Sequence, residues 1–518
     1  INTNTASINA QYNLNKVNKE MEKAMEQLSS GKRINSSADD AAGLAISTRM
    51  DSQVKGIGMA IKNAADAQSL VETTDGAHQE ITNILQRMRE LSIQAANDTN
   101  VASDRVSMQS EVTQLQAEIN RISSQTTWNG MALLDGTFAS KQFQIGAEAN
   151  QTISMSVGTV NTANIGAHQV NSVVNIASGT SNGMDDLGDV VITGTFGTST
   201  IDVSTTDKSA KGFAAAVNAV TSETGVSATA ITKVKLSNFS AADTVSFTVN
   251  GTTTGAVAIA SASDLRDLRD AINAIAGETG VSAALSGGQN SALELTDIDG
   301  DDISIGSFST TSTANMRLTA LDKDGNTATD NDGGEDLVVL LEDTAAAPTT
   351  YVDAAAYTVT GQVTMSSDES YTLATTHDLT AAATAITQSP TASALDTLTA
   401  DGEFFGATPT TAGTVTTSST LSSVGTVNIS TTSGAANAIN IIDGALARIS
   451  NARSDLGAVS NRFDHTMSNL GSIQINIGAS QSRIQDADFA KVTGDLTKSQ
   501  IMSQAATAML AQANASKQ

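Results

Sequence analysis

The chain has no cysteine, three prolines, a single tryptophan (Trp128) and only 3% aromatic residues. Without cysteine there is no disulfide staple, no thiol catalysis and no thiolate metal site. Scarce aromatics exclude ring-filled cores, so burial must come from Ala, Ile, Leu, Val and Met, which suits slender helix bundles and thin sheets. Positive charge is also short: 28 Lys and Arg face 54 Asp and Glu, a formal net charge of −26. That balance supplies neither the cationic stripe that binds nucleic acid nor the basic patch that holds an anionic membrane surface. No run approaches the roughly 18 apolar residues of a membrane span. No charged start leads through an apolar stretch to a cleavage site. These absences fit a cytosolic protein, and equally a chain exported as an unfolded thread by a dedicated apparatus; composition leaves both open.

What is present is unevenly distributed. At 518 residues the chain is too long for one core. Helical heptad pattern without proline fills residues 1–157 and returns over 435–518. Between them lies a stretch of Thr, Ser, Ala, Gly and Asp with strand-like alternation. Residues 170–433 carry 31 acidic against 8 basic side chains, a net of −23, which leaves the two arms together at −3. Two ends that must fold on each other around an acidic body point to assembly through those ends.

The longest periodic segment steps by four and three through Ile442, Leu446, Ile449, Arg453, Leu456, Ser460, Phe463, Met467, Leu470, Gln474 and Ile477. Eight of these eleven positions are apolar over 36 residues, a helix of about 54 Å and a coiled-coil repeat that needs partner helices. The N-terminal arm supplies them. One stripe is Met108, Val112, Leu115, Ile119 and Ile122; another is Ile81, Ile84, Leu85, Met88, Leu91 and Ala95, preceded by Ile57, Ile61 and Ala64. Asn97 to Asn100 reads as the turn between them, and Trp128-Asn129-Gly130 as a glycine turn. Phe143, Ile145, Ile153 and Met155 suggest a short hairpin. Each stripe is read first as ordinary bundle core.

The extreme ends form a second pair, with Leu14, Val17, Met21, Ala24 and Leu28 on one segment and Phe489, Val492 and Leu496 on the other. After a break, Ile501, Met502, Ala505 and Met509 continue the C-terminal stripe. Polar joints of small residues, 29–40 and 478–488, set both segments apart. Two lone amphipathic helices have too little core to be stable by themselves, so they are expected to order only where copies stack.

The middle reads as β-rich, with short strands such as Val190 to Ile192, Val245 to Val249 and Leu337 to Leu341. Glu223-Thr224-Gly225-Val226-Ser227-Ala228 recurs 55 residues later as Glu278-Thr279-Gly280-Val281-Ser282-Ala283. Each copy follows a helix, Ala216 to Val220 and Ala271 to Ile275, so two duplicated strand–helix–strand modules, about 185–240 and 240–296, are expected. All three prolines, Pro348, Pro390 and Pro409, follow the repeat, and residues 340–433 are read as a separate loop-rich portion.

No catalytic constellation is present. The histidines, His78, His168, His377 and His465, are scattered, and no glycine-rich phosphate loop follows a strand, so no cofactor is expected. Two acidic clusters are weighed for calcium: Asp297, Asp299, Asp301 and Asp302, and the run Asp322, Asp324 and Asn326 that continues to Asp336. Thr327 stands where a calcium loop requires glycine, and no helices flank it, so a solvated acidic turn is favoured.

Several segments together resemble bacterial flagellin. They are Ile1-Asn2-Thr3-Asn4, Leu28-Ser29-Ser30-Gly31-Lys32-Arg33-Ile34-Asn35, Asp39-Asp40-Ala41-Ala42-Gly43-Leu44-Ala45-Ile46 and Leu85-Gln86-Arg87-Met88-Arg89-Glu90-Leu91, with Asn129-Gly130-Met131-Ala132-Leu133-Leu134-Asp135-Gly136 and Ser482-Arg483-Ile484-Gln485-Asp486-Ala487-Asp488-Phe489-Ala490. They stand in the family's order, and the duplication is similar to an insertion module of its variable part. The family pattern begins before Ile1 and ends in a further apolar run, where this chain has Ala515-Ser516-Lys517-Gln518.

The resemblance implies a filament subunit in the extracellular flagellum, exported unfolded by the flagellar type III apparatus, with an export chaperone, a filament cap and hook-junction proteins as partners. It implies a multidomain α + β fold: a long antiparallel helical bundle formed by both chain ends, with inserted β-rich outer domains. The expected divisions are an inner-tube helix pair (1–43 and 479–518), an outer-tube bundle (44–170 and 434–478) and a surface insertion (171–433). A Toll-like receptor patch of the family maps by motif onto Arg87, Leu91 and Glu111. Competing readings are a hook–filament junction protein, which shares related terminal helices, and a filament-borne adhesin acting through the β domains.

Overall fold

The computed structural model describes residues 4–97, 99–178, 189–203, 207–286, 290–311, 314–328, 338–341, 356–376, 405 and 414–515. Among them lie helices α1 (Thr5–Ser30), α2 (Ala41–Ala96), α3 (Ala102–Gln125), α4 (Ala210–Ala219), α5 (Thr221–Thr224), α6 (Arg266–Ala274), α7 (Ala276–Thr279), α8 (Thr432–Gln485) and α9 (Phe489–Ala515). Their starts follow capping chemistry, since short polar side chains can accept the unpaired first-turn N–H groups. Asn4 accepts from Ser7 N at 3.1 Å, Asp40 from Gly43 N at 2.9 Å, Ser209 from Gly212 N at 3.1 Å, Thr431 from Gly434 N at 3.0 Å and Asp488 from Ala490 N at 3.0 Å.

Helices α2 and α8, at 56 and 54 residues, are each about 80 Å long. The buried positions of α2 step by three and four through Ile57, Ala60, Ala64, Ala67, Val71, Thr74, His78, Ile81, Leu85, Met88, Ser92 and Ala95. Of the expected stripe, Ile57, Ala64, Ile81, Leu85, Met88, Leu91 and Ala95 are buried while Ile61 and Ile84 are half-buried, and alanine in the first half allows close helix approach. On α8, Ile442, Ile449, Leu456 and Phe463 of the expected seam are buried, while Arg453 and Ser460 are half-buried.

The chain divides into two compact units. The first comprises Ile1–Gly76, Phe138–Val157 and Ser454–Gln518. In it α1 and α9 lie antiparallel, as Gly31 O accepts from Ala487 N at 3.0 Å and Asn18 from Ser503 Oγ at 3.3 Å. The expected hairpin is present as strands Lys141–Gln144 and Thr152–Met155. Phe143 packs edge-on against Phe463, ring centroids 6.0 Å apart, and Asn63 donates to Gln144 O at 3.0 Å.

The second unit comprises Ala77–Thr137 and Gly158–Arg453. Its helix α3 leads into a tight turn between Thr127–Trp128 and Met131–Ala132, where Asn129 and Gly130 take φ of 49° and 77°, the left-handed pair that a two-residue hairpin requires. The remainder is built on antiparallel sheets. Strand Ser227–Ser237 is central: residues 227–231 pair with Gln362–Ser367, while 232–237 pair with Ala292–Asp297 on one edge and 233–237 with Met316–Leu321 on the other. One core gathers Phe213, Val217, Val226, Val363, Met365 and Tyr371; the other gathers Val234, Leu236, Phe247, Leu268, Ile272 and Leu293. Ala228 lies in the first and Val234 in the second, so one strand serves both.

The duplication is visible in detail. Asn218 donates to Ala228 O and accepts from Ala228 N, both at 2.8 Å, and Asn273 does the same with Ala283 at 2.9 and 2.7 Å. Gly225 and Gly280 end α5 and α7 at the same φ of 76°. The separate portion expected over 340–433 is not found. Among its described residues, Gln362–Ser367 pairs with Gly166–Asn171 and Thr372–Thr376 with Val190–Thr193, so this segment completes the module sheets. Long-range antiparallel pairing brings it back, and local composition carries no signal of that. The three prolines lie outside the described residues.

Candidate assembly site

The two polar joints of the first unit form one bonded junction. Gly31, at φ 68°, ends α1; Arg33 N then donates to Gln485 O at 2.7 Å, and the Arg33 guanidinium to Ile484 O at 2.5 Å. Ser47 Oγ donates to Gln485 Oε1 at 2.8 Å. Asp39 accepts from Ser36 N at 3.1 Å and from Lys23 Nζ at 2.7 Å; chiefly the Lys23 bond, with the backbone donors, pulls its carboxyl down to about 2. Ile34 is buried here, and a Cβ on Gly43 would fall 2.5 Å from Asp40 Oδ2 and 2.7 Å from Ile34 Cδ1, so a larger residue would require those side-chain ends to shift. Helix α8 continues through Gly478 to Gln485, so the C-terminal joint is shorter than the expected 478–488: one glycine costs a helix only about 1 kcal/mol, which packing outweighs.

Beyond the junction, Val17, Ala24 and Val492 are buried in the α1–α9 seam, and Leu14, Met21, Leu28 and Leu496 are half-buried. The C-terminal stripe read from Ile501, Met502, Ala505 and Met509 is real but faces away from α1. The seam runs instead through Val492, Leu496, Ser499, Ser503, Ala506 and Leu510. Phe489 is 58% exposed, and Ile501 62%. Small polar residues on the paired face hid it from a hydrophobicity reading.

In the second unit, Arg87 on α2 donates to Glu111 on α3 at 2.9 Å and to Glu90 at 3.1 Å, an exposed ion-pair cluster. Leu91 is only 2% exposed and belongs to the core stripe. Sequence reasoning missed two ties. Arg89 binds Asp443 of α8 through both carboxylate oxygens at 2.6 and 3.2 Å. Lys233 bridges Glu294 at 3.2 Å and Ser433 Oγ at 2.9 Å. Arg89 stands in the quoted Leu85–Leu91 motif, but its distant partner carries no local signal.

The described parts of the acidic clusters are turns, bonded in part by their own backbone. Asp322 accepts from Asn326 N at 2.8 Å, and Asp324 pairs with Lys323 at 2.9 Å; strand Met316–Leu321 precedes them where a calcium loop would have a helix. Asp297 is buried, accepts from Asp299 N and Gly300 N at 3.0 and 3.1 Å, and is pushed up mainly by that burial. Lys211 pairs with Asp301 at 2.7 Å. Among the described residues no three His, Asp or Glu side chains converge to hold a metal, and no helix is long and apolar enough to cross a membrane. His377, Asp330, Asp332, Glu335 and Asp336 lie outside the described residues.

Paired terminal helices joined by a bonded junction, carrying a large β-rich insertion, define a structural subunit. Comparison with known proteins gives the family. Models for the bacterial flagellin N-terminal helical region, the bacterial flagellin C-terminal helical region and the flagellin hook IN motif match residues 1–139, 439–518 and 244–299. The chain is 35% identical to the B-type flagellin of Pseudomonas aeruginosa over 99% of this chain and 97% of that one. It is 32% identical to a flagellin of Salmonella choleraesuis over the same shares. Among solved structures, FliC of Burkholderia pseudomallei covers 76% of this chain and 99% of its own at 18% identity and a TM-score of 0.27. The chain belongs to the bacterial flagellin family, the structural subunits of the flagellar filament. The full-length flagellin relatives decide against the junction-protein reading. The hook IN match covers the second copy of the repeat.

Proposed function

We propose that this chain polymerises with copies of itself through α1 and α9, as the inner wall of an extracellular flagellar filament, with the α2, α3 and α8 bundle outside that wall and the acidic β cores on the surface. The observation that carries this reading is the bare apolar face of α9, with Ile501 and Met509 exposed opposite the α1 seam. Such a face in a chain with no membrane-spanning helix among its described residues is suited to a protein neighbour. Negative outer domains repel one another and keep filaments dispersed. Passage as an unfolded thread through the flagellar export apparatus suits a chain with no cysteine, and an export chaperone, a cap and junction proteins would be its partners on that route. Purified chain added to filament seeds should grow filaments of micrometre length; growth that stops after a few subunits would overturn this reading.

A receptor contact at the Arg87–Glu111 cluster is supported by its exposure. Leu91 would act there from beneath, by holding α2 in place. Arg87→Ala should weaken signalling in receptor-reporter cells without altering polymerisation, and equal signalling from both chains would remove the assignment.

A further inference from the structure

Residues 499–515 contain no charged side chain. The apolar groups of α9 are spread around its axis rather than gathered on one side. Helix α1 covers one face only. On the other, Met502 is 45% exposed and Met509 65%, beside Ile501. An uncharged helix whose uncovered face carries Ile and Met is suited to a surrounded position, and the surrounding available to this chain is a second copy. The thioethers are therefore open in the free subunit and closed in the polymer.

We propose that Met502 and Met509 are an oxidation-sensitive control on assembly, with hydrogen peroxide or a related two-electron oxidant as the modifying reagent. The inference rests on the filament reading above. A sulfur lone pair attacks one peroxide oxygen, the O–O bond breaks, and the departing hydroxide takes up a proton as water. Sulfur is oxidised by two electrons and the peroxide is reduced. The product sulfoxide is polar, and burying it against another copy without a hydrogen-bond partner is unfavourable. The buried thioethers of Met88, Met155, Met316 and Met365 are shielded in the free chain. Met25, Met59 and Met131 are exposed, so the test must separate them from the α9 pair.

The test treats free subunit and finished filament with the same peroxide dose, maps sulfoxides by peptide mass spectrometry, and measures the concentration needed for seeded growth. Oxidation should raise that concentration at least about tenfold in the parent chain. The double variant Met502→Leu/Met509→Leu, close in volume and lacking sulfur, should shift less than about twofold. In filaments Met502 and Met509 should oxidise at least about tenfold more slowly than in free chain. Equal inhibition of parent and double variant, or equal oxidation in filament and free chain, overturns the proposal. If the double variant does not assemble untreated, methionine sulfoxide reductases acting on oxidised parent decide: growth restored with Met502 and Met509 repaired upholds the proposal, and no restoration overturns it. An untreated parent that never polymerises sinks the filament reading as well, whereas a parent that polymerises regardless of peroxide sinks this inference alone.

Discussion

Among the described residues, α1 and α9 bury three apolar side chains, Val17, Ala24 and Val492, whereas the two β cores bury 26 and 16. Each fully buried large side chain contributes roughly 1.5–3 kcal/mol, so the inserted cores hold themselves together and the terminal pair leans on something else. The terminal pair has periodicity with little buried mass; the insertion has mass, and its exposed large apolar side chains, Phe196 and Ile298, are isolated. On the filament reading proposed above, stability and assembly fall to different parts of one chain.

Removing both terminal helices is expected to have the largest effect on this contrast. Seeded growth should be lost entirely, while the β cores keep their melting transition; fibres from the shortened chain, seen by electron microscopy, would end the division of labour. Next comes Phe247→Ala, which empties a fully buried site stacked 6.4 Å from Phe308. Denaturant unfolding of the β cores should weaken by about 3–5 kcal/mol, with seeded growth unchanged at temperatures where the variant is folded. Within the insertion, Asn218→Ala and Asn273→Ala each remove a paired backbone clamp and should cost about 1–3 kcal/mol apiece. A large loss from one and none from the other would show that the repeats are equivalent in shape and unequal in load.

The smallest effect concerns the junction. The Asp39 carboxyl is depressed to about 2 from an ordinary value of 3.8. A depressed acid contributes stability above its unfolded value and loses it as pH falls through its folded one. The junction should therefore loosen between about pH 4 and pH 2, readable as a carboxyl-carbon titration of Asp39. Lys23→Met should move that titration upward; an unmoved midpoint would assign the depression to the backbone donors instead.

Much of the helical architecture was legible because three-and-four spacing survives even where Thr74, His78 and Ser92 interrupt it. The repeat was legible because its clamp residues, Asn218 and Asn273, keep the same distance from their strands. Two features were not. Strand Gln362–Ser367 finds its partners at 227–231 and 166–171, far along the chain, where composition says nothing about register. The seam of α9 contains Ser499 and Ser503 while its free face carries Ile501 and Met509, so the stronger apolar signal marked the exposed side. Of the terminal residues read from the sequence, Leu14, Val17, Met21, Leu28, Val492 and Leu496 are buried or half-buried between α1 and α9, while Phe489 and Ile501 are exposed.

Strand Ser227–Ser237 has one more consequence. Inserting or deleting a single residue between Ala228 and Val234 would put the two out of phase, so that one core keeps its side chain from this strand and the other loses it, because strand side chains alternate with a period of two. Length variation among related chains should then collect in the loops to either side and spare these eleven positions, which act as an unbending ruler for the insertion.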